Sequence, residues 1–258
     1  MVKIHPTAFV DKDVLIEDDV EIGAFSTITG KVKIGKGTKI GNNVMIEGKV
    51  TIGENNIIYH FACIGFPPQD VKYKGEETEV VIGNNNIIRE FVTIHRATGE
   101  GEKTCIGDNC FLMAYTHLGH NVKIGNNIVI ANGTQLAGHV EIHDFAVLSG
   151  GVLIHQFCRV GKYAMIRGRA RLGLDVVPYV IADGVENTEI KGLNIVGLRR
   201  NGFSEERIKI LKDAYRILFR QNLNTSQALE ILERDFSKYD DIKYLIEFIK
   251  TSKRGIGK

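Results

Sequence analysis

The chain has no tryptophan, and only four prolines and four cysteines in 258 residues. Cys63, Cys105, Cys110 and Cys158 form no CxxC pair and match no small-scaffold spacing. That leaves the thiols as small apolar fillers and points to a reducing, cytoplasmic setting. No apolar run approaches the ~20 residues that span a bilayer, so no stable membrane insertion is expected. The opening Met-Val-Lys-Ile-His-Pro carries no long apolar segment of secretory type. A net charge of only +2 argues against nucleic acid as a partner. Hydrophobic residues at 43% exclude a disordered chain.

Glycine (28 residues) and isoleucine are abundant instead, and they recur. Stepping by six from Ile4 gives Val10, Ile16, Ile22, Ile28 and so on to Leu172. Of 29 such positions, 26 are Ile, Leu or Val; the others are Asp70, Glu76 and Glu100. Four residues after each anchor stands a small or β-branched residue, as at Val20, Ser26, Val44, Thr116, Val140 and Ala164. A helix has period 3.6 and a simple strand period 2; period six marks a hexapeptide solenoid. Three hexads make one triangular coil, so residues three hexads apart stack and the hexads make about nine coils. The fold class is mainly β: a parallel β-helix over residues 1–190, then a small α-helical domain over 191–258. Two segments leave the wall, at about 66–81 and 97–104. Solenoid insertions often carry binding, and the first holds Gln69, Asp70 and Lys72.

After Pro178 the six-residue phase is lost. Ser204-Glu205-Glu206 reads as a helix start, with Ser204 as N-cap. A second helix follows Asn224, and a third covers roughly Asp240 to Lys250. Residues 191–258 hold 15 basic and 9 acidic side chains, a balance of +6, against −4 for the rest. A basic appendage suits an acidic partner.

Two motif matches fail. Gly30 to Gly37 has Gly37 where a phosphate loop needs Ser or Thr, and it lies inside regular hexads. His139-Val-Glu-Ile-His143 misplaces the glutamate of a zincin site. The histidines say more. His117, His120, His139, His143 and His155 crowd into one short stretch of the chain. By the three-hexad rule His120 stacks with Gly138 and Gln156, Asn121 with His139, and His117 with Gln135. Such an edge can place a histidine as general base beside a glycine whose N–H serves as an oxyanion donor. No Ser or Cys pairs with these histidines as a nucleophile, which favours direct transfer. The rival chemistry is a zinc site.

His117-Leu-Gly-His120-Asn121, Leu136-Ala-Gly-His139-Val140 and Val152-Leu-Ile-His155-Gln156-Phe157-Cys158 carry a resemblance. So do Gln69-Asp70-Val71-Lys72-Tyr73, Ile94-His95-Arg96 and Gly197-Leu-Arg199-Arg200-Asn201-Gly202-Phe203. Together they resemble the UDP-N-acetylglucosamine O-acyltransferase family, over essentially the whole chain. The resemblance implies a left-handed coil, a homotrimer, and (3R)-hydroxyacyl transfer from acyl carrier protein to the 3-hydroxyl of UDP-N-acetylglucosamine. That is the first step of lipid A biosynthesis, with no cofactor and no metal. It implies His120 as general base and Gly138 as the oxyanion donor. His117 and His139 would hold acyl and sugar groups, with Gln69, Asp70, Lys72, His95 and Asn121 also at the substrate. His155, Gln156, Asn194 and Arg200 would lie on the nucleotide side, and Gly168 would bear on acyl length. Asn121 stands where the family usually has Asp, Asn201 where it often has Arg, and Val196 where it has Glu. The stretch Val185–Leu193 is one residue longer. Alternatives are the 3-amino sugar as acceptor, the lipid A N-acyltransferase, or a trimeric zinc carbonic anhydrase on the same fold.

Overall fold

The computed structural model describes residues 1–185 and 187–258; Glu186, within the Val185–Leu193 stretch expected to be one residue longer, lies outside the described residues. Most of the coil strands are two residues long, because each hexad has room for one short extended segment before the chain must turn. Three sheets form, of 11, 9 and 8 strands, and consecutive strands visit them in rotation. Pairing is parallel throughout the coil. This is the left-handed parallel β-helix expected of the hexads, with a C-terminal helical part.

The stacking rule holds where hexads are uninterrupted: His117 pairs with Gln135, and Leu118 with Leu136, three hexads on. Across the two excursions the offset changes by whole hexads. Ile58 pairs with Ile88, five hexads on, and Ile88 with Leu112, four hexads on. The insertions therefore remove two hexads and then one from the wall. That is why the phase skips Asp70 and Glu76, then Glu100, and resumes without slipping. Both excursions are shorter than the sequence suggests. Phe66 is the last residue of strand Cys63–Phe66, and strand Glu79–Ile82 takes up the far end of the first loop. Glu79–Ile82 pairs on both sides, with Lys49–Ile52 and Lys103–Ile106, so the neighbouring coils capture the loop ends as backbone ladder.

The anchors fill the coil. Ile28, Ile64, Ile94, Leu118, Leu136 and Ile166 are fully buried, each burial giving ~1.5–3 kcal/mol. At the corners, side-chain oxygens cap the backbone of the coil below: Asn84 N–H donates to Asp108 Oδ1 (2.6 Å) and Asn126 N–H to Asp144 Oδ1 (2.9 Å). Ile4, in the first strand, is 43% exposed.

The other end is covered. Strands Val180–Asp183 and Glu189–Leu193 close the largest sheet as an antiparallel pair. Helices α1 (Ile195–Arg200), α2 (Glu205–Arg220), α3 (Thr225–Phe236) and α4 (Asp240–Lys250) follow. Ser204 caps α2, and Asn224 with Gln227 forms a capping box on α3. The six-residue helix α1 has too little periodicity for the sequence to reveal it. Asp175, fully buried, joins coil to tail: it binds Arg159 (3.1 Å) and the Ser252 hydroxyl (2.8 Å). Arg159 also reaches the Phe248 carbonyl (2.8 Å) and stacks on its ring.

Candidate active site

His120 follows strand His117–Leu118, where the chain turns out of one sheet toward the next. Its ring is held from behind. His120 Nδ1 lies 2.8 Å from Asn121 Oδ1. The orientation of that amide is fixed by Thr98: Asn121 Nδ2 donates to the Thr98 carbonyl (3.1 Å), and Thr98 N–H donates to Asn121 Oδ1 (2.9 Å). Oδ1 is thus an acceptor, so Nδ1 carries the proton and Nε2 keeps its lone pair. Asn121 itself is buried, its N–H donating to Thr104 Oγ1 (3.0 Å).

The bare Nε2 faces a cavity of about 580 Å³, lined by Gln69, Asp70, Lys72, Glu76, Thr98, Gly99, His120, His139, Gln156 and Phe157. Asp70 Oδ2 stands 3.9 Å from Nε2, too far for a hydrogen bond. Asp70 Oδ1 accepts from Lys72 N–H (2.9 Å), which shapes the loop tip. His139 meets His120 edge-on, with ring centroids 5.1 Å apart, and stacks on Phe157 at 4.6 Å. Burial, then the neighbouring His120, lowers the His139 pKa, so it offers a neutral ring.

Gly138 sits directly over the His120 ring. A Cβ there would lie 2.4 Å from His120 Nε2. Gly138 is buried, and its N–H donates to no protein acceptor among the described residues. Most buried backbone donors are paired, so an unpaired one beside a histidine suits an incoming oxygen.

His95 and His117 form an adjacent edge-on pair at 5.3 Å. His95 Nδ1 bonds the Pro67 carbonyl (2.7 Å), which ties the first loop to the coil, and His117 Nδ1 bonds Thr93 Oγ1 (2.8 Å). Burial, then His95, pushes the His117 pKa down to about 4. The remaining candidates do not line the His120 cavity within one chain. His155 lines a separate hollow of about 340 Å³ with Arg171, Leu172 and Val185. Asn194 caps α1, accepting from Gly197 N–H (3.1 Å) and donating to the Tyr163 carbonyl (2.9 Å). Arg200 is exposed at the end of α1. Gly168 is exposed over Gly150, where a Cβ would meet the Gly150 carbonyl at 3.5 Å. Thr98 and Glu76 escaped the sequence reading; the only signal for either was its position in a loop. Among the described residues no three His, Cys, Asp or Glu side chains converge as metal ligands.

The coil and this histidine edge define a hexapeptide-repeat transferase, and the bacterial transferase hexapeptide family model matches residues 31–65 and 104–138. A second model, UDP-N-acetylglucosamine O-acyltransferase domain 2, matches residues 175–257. The acyl-(acyl-carrier-protein)–UDP-N-acetylglucosamine O-acyltransferase of Thermodesulfovibrio yellowstonii is 51% identical, over 99% of each chain. The solved UDP-N-acetylglucosamine acyltransferase of Francisella novicida superposes with a TM-score of 0.96 at 42% identity, covering 98% of this chain and 93% of that one. That of Bacteroides fragilis gives 0.94 at 43% identity, covering 98% and 99%. The chain belongs to the UDP-N-acetylglucosamine O-acyltransferase family.

Proposed function

We propose that this chain transfers a (3R)-hydroxyacyl group from acyl carrier protein to the 3-hydroxyl of UDP-N-acetylglucosamine, the first step of lipid A biosynthesis. The observation that carries the reading is the closeness of the unpaired Gly138 N–H to a bare His120 Nε2. Nε2 takes the proton of the 3-hydroxyl as its oxygen attacks the thioester carbon. The negative charge that builds on the carbonyl oxygen is met by the Gly138 N–H. Collapse breaks the carbon–sulfur bond, and the leaving thiolate takes the proton back from His120. Asp70 and Lys72 hold the sugar, with Gln69 beside them, while neutral His117 and His139, with His95, line the acyl and sugar sides.

His155, Asn194, Arg200 and Gly168 do not line this cavity within one chain, which supports a homotrimer in which a neighbouring copy completes the nucleotide and acyl-length walls. The +6 helical tail suits acidic acyl carrier protein. No described helix is long and apolar enough to cross a membrane; we place the chain in the cytoplasm, with no nucleic-acid partner. The chemistry calls for no metal or cofactor.

The test incubates the protein with (3R)-hydroxyacyl–acyl carrier proteins of several lengths and UDP-N-acetylglucosamine, beside His120→Ala. Mass spectrometry should find acylated sugar nucleotide from the native chain, and a loss of roughly 10²–10⁴-fold in the variant. Equal product from both would remove His120 as the base. Asn121 favours one second reading. A neutral amide stabilises imidazolium less than a carboxylate, and an amine needs less help from a base than a hydroxyl. Competition between the 3-hydroxy and 3-amino sugar nucleotides decides it, and preference for the hydroxyl rules the amine reading out.

A further inference from the structure

The base is backed by an amide with no charge, yet three groups converge on that amide's oxygen. Asn121 Oδ1 faces Thr98 N–H at 2.9 Å, the Thr98 hydroxyl at 3.1 Å and His120 Nδ1 at 2.8 Å. Thr98 Oγ1 also lies 3.3 Å from His120 Nδ1. The hydroxyl proton goes to Asn121 Oδ1, since that oxygen is its shorter partner, and a Thr98 lone pair is left facing the Nδ1–H. The ring therefore has two oxygen acceptors behind it.

We propose that Thr98 is a positioning residue for His120, whose backbone fixes the Asn121 amide and whose hydroxyl is the second acceptor for the protonated ring. This rests on the acyltransferase reading of the same site. When His120 gains a proton its Nδ1–H becomes a stronger donor, and the longer contact, to the Thr98 hydroxyl, is the one with room to shorten. Two neutral oxygens then do part of what one carboxylate would do. Thr98 is itself held in place. Glu76 of the first loop accepts from the N–H of the next residue, Gly99 (3.1 Å), and from Lys74 N–H (2.7 Å). The two excursions from the coil are thereby fastened to each other at the wall of the His120 cavity. The other ionisable groups around His120 are Asp70, Lys72 and Glu76 from the first loop and His139 from the next coil. None of them touches the Thr98 hydroxyl, so changing that hydroxyl leaves them in place.

The test compares Thr98→Val, which keeps the volume and the backbone clamp, with Thr98→Ser, which restores the hydroxyl. The His120 titration is followed by nitrogen-15 NMR on labelled histidine, the signal being assigned by its loss in His120→Gln. Thr98→Val should lower the His120 pKa by roughly half a unit and kcat by roughly threefold to tenfold, the loss of one weak hydrogen bond to a charged ring. KM for the sugar nucleotide should stay within about twofold, and Thr98→Ser should recover both. In an Asn121→Asp background the carboxylate supplies the charge, so the same Thr98→Val change should have a smaller effect. An unchanged titration in Thr98→Val overturns the proposal, and so does a fall in kcat that Thr98→Ser fails to recover. If the pKa shift is found but the native chain transfers no acyl group, the acyltransferase reading falls and the control of His120 by Thr98 stands.

Discussion

Gly138→Ala isolates the chemistry from the fold. The added Cβ would stand 2.4 Å from His120 Nε2 and 2.5 Å from Cε1. An ordinary contact begins near 3.4 Å, so the ring must retreat by about 1 Å. It has little freedom to do so, because Nδ1 is bound to Asn121 and the ring edge meets His139. A displacement of about 1 Å at a reacting group costs roughly 10²-fold in rate, or about 2.7 kcal/mol of barrier. The backbone at Gly138 is outside the left-handed region, so alanine adds no backbone strain there. Its effect on stability should be small, since fewer unfolded conformations offset the strain on His120. The assay is acyl transfer at saturating sugar nucleotide together with thermal unfolding. Activity should fall about 10²-fold while Tm stays within a few degrees. The double variant Gly138→Ala/His120→Ala should be no slower than His120→Ala, because the clash then has no partner and the N–H remains. Gly138→Ala within threefold of the native rate would refute the reasoning. So would a double variant a further 10²-fold slower than His120→Ala.

Other expectations follow from burial and charge. His117 has its pKa pushed from 6.5 to about 4 in the folded chain. Both states are neutral above the unfolded value, so the effect is absent at neutral pH. Between pH 6.5 and 4 the unfolded chain gains the proton first and the native state loses stability. His117→Gln should therefore flatten the fall in Tm on acidification, relative to the native chain. Asp175→Ala leaves Arg159 without its buried partner and frees the Ser252 contact, at about 3–5 kcal/mol. It should appear as a lowered midpoint in denaturant and faster proteolysis of the C-terminal helices. Asn121→Asp places a carboxylate behind Nδ1, raises the His120 pKa, and should move the acid limb of the kcat/KM profile to higher pH.

Much of the coil is legible without coordinates because a solenoid repeats one local problem. Each hexad must bury an anchor and turn, so Ile28, Ile46 and Ile64 answer the same demand and the period shows it. The His117–Gln135 register follows from that period alone. The site is only partly legible. His120, Gly138 and Gln156 share a column, so stacking brings them together by arithmetic. Thr98 and Glu76 lie in excursions that obey no period, and nothing in their spacing tells where a loop folds back. Asn194, which the resemblance put on the nucleotide side, spends its amide on the cap of α1, a use set by the local helix and by the Tyr163 carbonyl.

The sequence by itself determined the coil, its phase through both insertions, the cap of α2, and the family. These rest on local periodicity, on capping chemistry and on motifs that a linear chain displays. Only the tertiary structure decided which nitrogen of His120 is bare, that the Gly138 N–H is unpaired, and that two loops are fastened together at the wall of the His120 cavity. Those depend on distances between residues far apart along the chain, fixed by loops whose paths no repeat dictates.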